Sequence, residues 1–224
     1  MSVWTNCTTI PPPCPFYGAY EDASEEEKRG KRTRLAITFG YSKDHRPDLK
    51  QLLYILTVTD DGGVPLYFTT ASGNVTDDTT HRETWDLLRQ LVGHADFLYV
   101  ADCKLATREN LQYIHNQAGR FVTILPRTRR EDTEFRQQLL TNLDAVKWEH
   151  LYDITNDELE VVDRLRVCTQ ANVSSEGFRL LWFHSTRKAE RDAMSRARSL
   201  DRVSKQLAQL QSRLQSSRTR FRQR

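Results

Sequence analysis

The sequence predicts an α/β protein: a mixed β-sheet with flanking helices, then a small β segment and a long C-terminal helix. Three observations carry this. Strand-forming runs come first, at residues 35–41, 51–59 and 64–70. Helix-period segments then alternate with short apolar runs between residues 76 and 143. A long polar stretch with leucines three and four apart closes the chain.

The elements follow in order. Residues 1–16 contain Pro11, Pro12, Pro13 and Pro15, a density that no central strand tolerates, so this segment reads as peripheral. Residues 21–34 (EDASEEEKRGKRTR) form a charge-rich connector. Residues 35–41 (LAITFGY) alternate as a strand. Residues 51–59 (QLLYILTVT) are apolar on both faces, which places that strand centrally. Asp60-Asp61-Gly62-Gly63 makes a hairpin turn, and residues 64–70 return, completing a three-stranded antiparallel meander.

A helix starts at Thr76 or Asp77, either of which can cap it. Trp85, Leu88, Leu91 and Val92 fall on one face, and Gly93 stops the helix. Residues 97–101 (FLYVA) read as a buried parallel strand ending in Asp102. Thr107 caps a second helix, with Leu111 and Ile114 inward and Gly119 at its end. Residues 121–125 (FVTIL) are the next strand, and a further helix spans about 132–143. Residues 148–185 hold short strands, chiefly 160–167 and 178–184. From about residue 186 a long helix carries Leu200, Val203, Leu207, Leu210 and Leu214 as a seam. That seam suits either a coiled-coil partner or packing against its own domain, and residues 218–224 are expected to be disordered.

A meander leading into β-α-β units is the order of the ribonuclease-H-like fold, a mixed sheet with helices on both faces. The predicted divisions are a degenerate N-terminal segment and connector at 1–34, a partial core at 35–147, a β segment at 148–185, and a basic helix with its tail at 186–224.

Composition narrows the function classes. Hydrophobic residues make up 38% and charged residues 28%. No run approaches the roughly 18 apolar residues that span a bilayer, so no membrane association is expected. The N-terminus shows no basic segment followed by an apolar one, and a cytoplasmic location is expected. Cys7, Cys14, Cys103 and Cys168 form no C-x-x-C pair, which reads as reduced thiols without zinc. From residue 187 onward twelve Lys/Arg stand against three Asp/Glu, a net of +9, leaving −6 for the rest of a chain whose net charge is +3. That asymmetry fits either an anionic partner such as nucleic acid or a solvated helix end.

Asp102 is the sharpest candidate for chemistry. It stands at the carboxyl end of an apolar strand, where α/β sheets gather their ligands, although caps and turns use such residues too. Residues 40–49 (GYSKDHRPDL) are dense in charge and read either as a metal- or phosphate-binding loop or as an ion-paired connection. His45, His81, His94, His115, His150 and His184 lack ligand spacing and read as surface or boundary residues. No Walker-type, dinucleotide-binding or nucleophile-elbow motif occurs.

Residues 40–80 (GYSKDHRPDLKQLLYILTVTDDGGVPLYFTTASGNVTDDTT) and 97–111 (FLYVADCKLATRENL) closely resemble two blocks of the DDE transposases of bacterial insertion sequences, in the group related to insertion sequence four. The resemblance covers roughly residues 6–220. It implies a ribonuclease-H-like domain in which two aspartates and a glutamate hold two Mg²⁺ ions for phosphodiester cleavage and strand transfer. Asp102 matches the second aspartate and would be the metal ligand. By the resemblance the first belongs on the opening, central strand, in a D-T-T segment before F-Y-G-x-Y, and residues 10–15 insert prolines into that strand. Here Cys7-Thr8-Thr9 precedes Phe16-Tyr17-Gly18-Ala19-Tyr20, so Cys7 stands at the aspartate position. No Y-x-x-R-x-x-x-E pattern supplies the glutamate, and by the resemblance the chain ends within an insertion that precedes it. The family's N-terminal DNA-binding region is also absent by this reading.

Asp44, Asp48, Asn74 and Asp77 match recurrent family positions as supporting residues. The expectation is a remnant in which Asp102 holds Mg²⁺ only weakly and DNA is not cut. In one rival reading Asp44 or Asp48 replaces the missing aspartate. In another the basic helix, through Arg187, Lys188, Arg191, Arg196 and Arg198, binds DNA, an intact transposase or a second copy.

Overall fold

A computed structural model describes residues 6–10, 13–23, 27–29, 32–41, 46–142, 146–168, 170 and 172–215, with backbone alone at 6–10, 13, 22, 27–29, 32 and 33. Asp44 and the tail at 218–224 lie outside the described residues. The chain forms two compact units, Met1–Thr133 and Glu134–Arg224.

The first unit is built on one mixed sheet. Its strands are β1 (Asn6–Ile10), β2 (Pro13–Phe16), β5 (Lys50–Thr59), β6 (Pro65–Ser72), β7 (Leu98–Ala101) and β8 (Arg120–Thr123). A separate short hairpin joins β3 (Glu27–Arg29) to β4 (Arg32–Arg34). In the large sheet β6 pairs β5, β5 pairs β1 and β2, β1 pairs β7, and β7 pairs β8. The β5 pairings are antiparallel, whereas β1–β7 and β7–β8 are parallel. The hairpin between β5 and β6 forms at the expected turn. Thr59 N–H donates to Val64 O at 2.9 Å, and Gly62 and Gly63 take positive φ values of 130° and 65°.

Three expectations are corrected here. Residues 6–10 are not peripheral: β1 is the central strand, joining the antiparallel and parallel halves of the sheet. Ile10 stands opposite Leu56 and Pro13 opposite Leu53, so the register along β5 does not slip across the proline run. The strand is central only as far as Ile10. Beyond it, β2 pairs β5 alone, and an edge strand has room for Pro13 and Pro15.

Residues 35–41 are not a strand of a meander. One edge of β5 is taken by β6 and the other by β1 and β2. Thr38 reaches the sheet only at Gln51, just past the end of β6, where it makes a single antiparallel bridge. Gln51 N–H donates to Thr38 O (2.9 Å), and Gly73 N–H donates to Ala36 O (3.1 Å). The segment crosses this close to its neighbours because Gly40 and Gly73 lack side chains. A Cβ on Gly73 would collide with the carbonyls of Gln51 and Thr38.

The helices do not divide between the two faces of the sheet. Helix α1 (Asp77–Val92) and helix α2 (Arg108–Asn116) meet around Trp85, which stacks on Phe97 at 6.1 Å and meets Tyr113 edge-on at 6.3 Å. The face beneath them carries buried Leu53, Ile55, Thr57, Tyr99 and Ala101. The register through β1 aligns Thr57 with Ala101 and Thr59 with Tyr99 on that face. The opposite face is half-buried to exposed, with Phe68 63% and Val122 51% exposed. The helix ends obey the sequence. Gly93 is left-handed at φ 84°, and the Thr107 side chain accepts the Asn110 N–H.

The second unit holds a three-stranded antiparallel sheet of β9 (Trp148–Thr155), β10 (Val161–Cys168) and β13 (Phe183–Ser185), in the order β13-β10-β9. A two-stranded ladder joins β11 (Asn172–Val173) and β12 (Arg179–Leu180). Helix α3 (Arg130–Thr141) crosses the boundary between units. Its Phe135 stacks on Trp182, with centroids 4.0 Å apart, in a small core with Val146, Cys168, Leu139 and Trp148. The division therefore falls after Thr133 and not at 147, where the sequence reading set it. Helix α4 (Thr186–Gln215) is 30 residues long and buries none of them. Among the described residues no helix is long and apolar enough to cross a membrane.

The Gly40–Gly73 crossing gives a direct test. Gly73→Ala is expected to destabilise the protein by about 1–3 kcal/mol, because backbone carbonyls must shift to admit the methyl. Urea unfolding measures it, and a midpoint equal to wild type would disprove the steric account.

Candidate functional site

Asp102 occupies the first position after β7, half-buried, where the strand turns toward α2. Its Oδ1 accepts the Lys104 N–H (2.9 Å), closing an Asx turn. Its carbonyl accepts Leu105 N–H (3.1 Å) and the Thr123 hydroxyl from the end of β8 (2.6 Å). The parallel neighbour therefore fixes where this residue leaves the sheet.

The first turns of α1 lie close to Asp102. Asp77 and His81 are four residues apart, so they share one helix face. His81 is fully buried, contrary to its expected boundary position. Its Nδ1 shares a hydrogen bond with the Tyr99 hydroxyl (3.0 Å), while Nε2 has no hydrogen-bond partner among the described residues. Burial pushes its pKa below the ordinary imidazole range, against the opposing pull of negative charge on Asp102, Asp77 and Asp78. Three carboxylates thus act electrostatically on one buried ring. The sequence carried a usable signal in the spacing of His81 from Asp77 and from the apolar Trp85. His81 is the residue that sequence reasoning missed.

Asn74 and Asp77 come together. They line a cavity of about 60 Å³ with Tyr41, Gln51, Thr76 and Lys104. The Lys104 ammonium stands over the Tyr41 ring at 5.7 Å. Asp48 behaves as a member of an ion-paired connection. Arg46 donates to both its oxygens at 2.9 and 2.7 Å, and that bonding holds the carboxyl below the usual range. Cys7 lies level with Tyr99 in the parallel register, three residues before Asp102, or roughly 10 Å along a strand. A two-metal centre needs several carboxylates converging on one point. Among the described residues no group of three His, Cys, Asp or Glu side chains is placed to hold a metal ion. The donors among the described residues do not fit a Mg²⁺ pair.

A cavity of about 260 Å³ opens at the N-terminal ends of α1 and α2, lined by Asp78, Thr79, Arg82, Thr107, Glu109 and Asn110. Its polar groups largely satisfy one another. Arg82 Nε donates to Asn110 Oδ1 (3.1 Å), and Asn110 Nδ2 donates to Asp78 O (2.7 Å).

In the second unit the basic residues fall on α4. Asp163 of β10 holds the start of this helix, accepting from Arg187 N–H (3.0 Å), the Thr186 hydroxyl (3.1 Å) and the Ser185 hydroxyl (2.7 Å). These bonds, Ser185 foremost, lower its pKa. Arg187, Lys188, Arg191, Arg196 and Arg198 are all exposed. At 100° per residue, Arg187, Arg191, Arg198, Arg202 and Lys205 share one face. Lys188 lies at its margin, bonded to Asp192 (3.0 Å). Arg196 points the other way, into the line of Leu200, Val203 and Leu207.

No protein-family model matches this chain, and no curated protein matches it.

The depressed pKa of His81 makes stability pH-dependent. The unfolded imidazole takes its proton near 6.5, and the folded one only at lower pH. The contribution is therefore complete above about 6.5 and declines as the pH falls below it. Wild type should lose more stability between pH 8 and pH 5.5 than His81→Gln, compared by urea midpoints. Equal losses would refute a neutral buried ring.

Proposed function

We propose that this chain is a relative of the ribonuclease-H-like DDE transposases that keeps the scaffold and a DNA-contacting helix but does not cut DNA. One observation carries the scaffold: the strand order β6-β5-β1-β7-β8, with the first three antiparallel, the last three parallel, and Asp102 at the carboxyl end of β7. An antiparallel group leading into β-α-β units is what the resemblance in residues 40–80 and 97–111 implies. The proposed loss of cutting rests on the donor set. Among the described residues no trio of ligating side chains converges at Asp102, and Asp48 is engaged by Arg46. Asp44, the other substitute ligand, lies outside the described residues.

A second reading has its own observation. The basic face formed by Arg187, Arg191, Arg198, Arg202 and Lys205 is exposed along one side of α4, as phosphate contacts require. It makes the chain a binding module, for DNA or for an intact transposase on DNA, whether or not the core is active.

Two outcomes are expected. Supercoiled plasmid with Mg²⁺ or Mn²⁺ stays intact, equally with wild type and Asp102→Ala. Metal-dependent nicking that disappears in Asp102→Ala would overturn the inactive reading. Double-stranded DNA is retained at low salt and released as salt rises. Replacing Arg191, Arg198 and Arg202 with Ala should reduce the slope of log affinity against log salt by about 0.9 for each phosphate that is no longer neutralised. Retention independent of salt would exclude the helix as a phosphate reader.

A further inference from the structure

We infer that the end of the main sheet where Asp102 stands carries a stacking platform for an unpaired DNA strand, built from Tyr17, Phe39 and Tyr41 with Arg46, Lys50 and Lys104.

The three rings are exposed: Tyr17 71%, Phe39 55% and Tyr41 77%. Each has a cation over it. The Arg46 guanidinium stands 5.9 Å from the Tyr17 centroid, the Lys50 ammonium 5.9 Å from that of Phe39, and the Lys104 ammonium 5.7 Å from that of Tyr41. The partners come from separate stretches of the chain, so the fold and not sequence adjacency pairs them.

The sheet brings these stretches to one place. Lys50 opens β5 opposite Phe16, the last residue of β2. Its ammonium donates to the carbonyls of Ala19 and Tyr20, and Phe16 meets Tyr20 edge-on at 5.6 Å. Arg46 begins the turn into β5, its carbonyl accepting the Leu49 N–H (3.2 Å). Next along β5, Gln51 pairs with Thr38, and its Nε2 donates to the Tyr41 carbonyl (3.3 Å). Phe39 and Tyr41 are thereby held beside that strand end. Lys104 follows β7, its N–H fixed on the Asp102 carboxylate. Because β5 is antiparallel to β1 and β1 is parallel to β7, the start of β5 and the end of β7 share one end of the sheet.

The chemistry selects the partner. An exposed ring with a cation over one face leaves its other face to a flat apolar group, and the cation suits an anion beside that group. A nucleotide supplies both, and bases stack on aromatic side chains whatever their sequence. A duplex keeps its base faces inside the stack and offers only their edges in the grooves. An unpaired strand offers the faces. The free charges are few. Asp48 engages Arg46 through two hydrogen bonds, and Asp77 lines the cavity that Tyr41 and Lys104 share. Stacking therefore carries most of the affinity, which again favours the unpaired strand. The inference rests neither on α4 nor on the transposase resemblance.

The test uses the full chain with Arg191, Arg198 and Arg202 replaced by Ala, so that α4 contributes little. Fluorescence anisotropy follows a labelled oligothymidine of about 12 nucleotides, within the usual span of a single-strand site. Binding should persist in this background and weaken about tenfold in Tyr41→Ala and in Tyr17→Ala. Tyr41→Phe, which keeps the ring, should bind as the background does. Lys104→Ala should lower the slope of log affinity against log salt by about 0.7, one phosphate of a single strand. A duplex of the same length should bind more weakly. Circular dichroism confirms that each variant keeps its fold. No binding of the single strand in this background would overturn the inference. So would unchanged affinity in either ring-to-alanine variant, a salt slope unmoved by Lys104→Ala, Tyr41→Phe binding as weakly as Tyr41→Ala, or a duplex held as tightly as the single strand. Salt-sensitive duplex retention by the wild-type chain is untouched by any of these results, so the reading of α4 stands or fails separately.

Discussion

The main sheet depends on the double pairing of β1. Residues 6–10 exchange hydrogen bonds with β5 on one side and β7 on the other. They are the only described strand shared by the antiparallel and parallel halves of the sheet. Without it, β2, β5 and β6 are an antiparallel group and β7–β8 a parallel pair, with no described strand between them. A parallel pair needs covered faces. The alignment of Thr57 with Ala101 and of Thr59 with Tyr99 passes through this strand, and so does the buried face on which α1 and α2 rest.

That face accepts an unusual tenant. A buried imidazole with one hydrogen bond and one unpartnered nitrogen costs stability. The ring of aromatic packing around Trp85, Phe97, Tyr99 and Tyr113 offsets the cost. Negative charge on Asp102, Asp77 and Asp78 pulls the ring toward protonation, and burial outweighs that pull.

Much of the fold was legible in the sequence because local chemistry agreed with the final structure. Gly62-Gly63, Gly93, Thr107 and the start of α4 at Thr186 all mark ends where they were expected. Asp102 at the end of β7 followed from an apolar strand terminating in a carboxylate. The errors came where tertiary structure overrode local pattern. The prolines argued against a central strand, yet they follow the point where the strand becomes an edge. Residues 35–41 carry strand-forming composition, but both edges of β5 were already occupied. The spacing of His81 from Asp77 and Trp85 marks its helix face, but its hydrogen bond to Tyr99, 18 positions away, is encoded by no local periodicity.

Asp163 gives α4 a mechanical character. One side chain from β10 receives three donors at the root of a helix about 45 Å long, so the rod is mounted at a single base. A mounting of that kind works as a lever. Tilting the root by about 10° carries the far tip through roughly 8 Å, more than one helical turn. Loosening a single carboxylate in the small sheet would therefore displace the basic residues in proportion to their distance from the root, Arg187 hardly at all and Lys205 by about 5 Å.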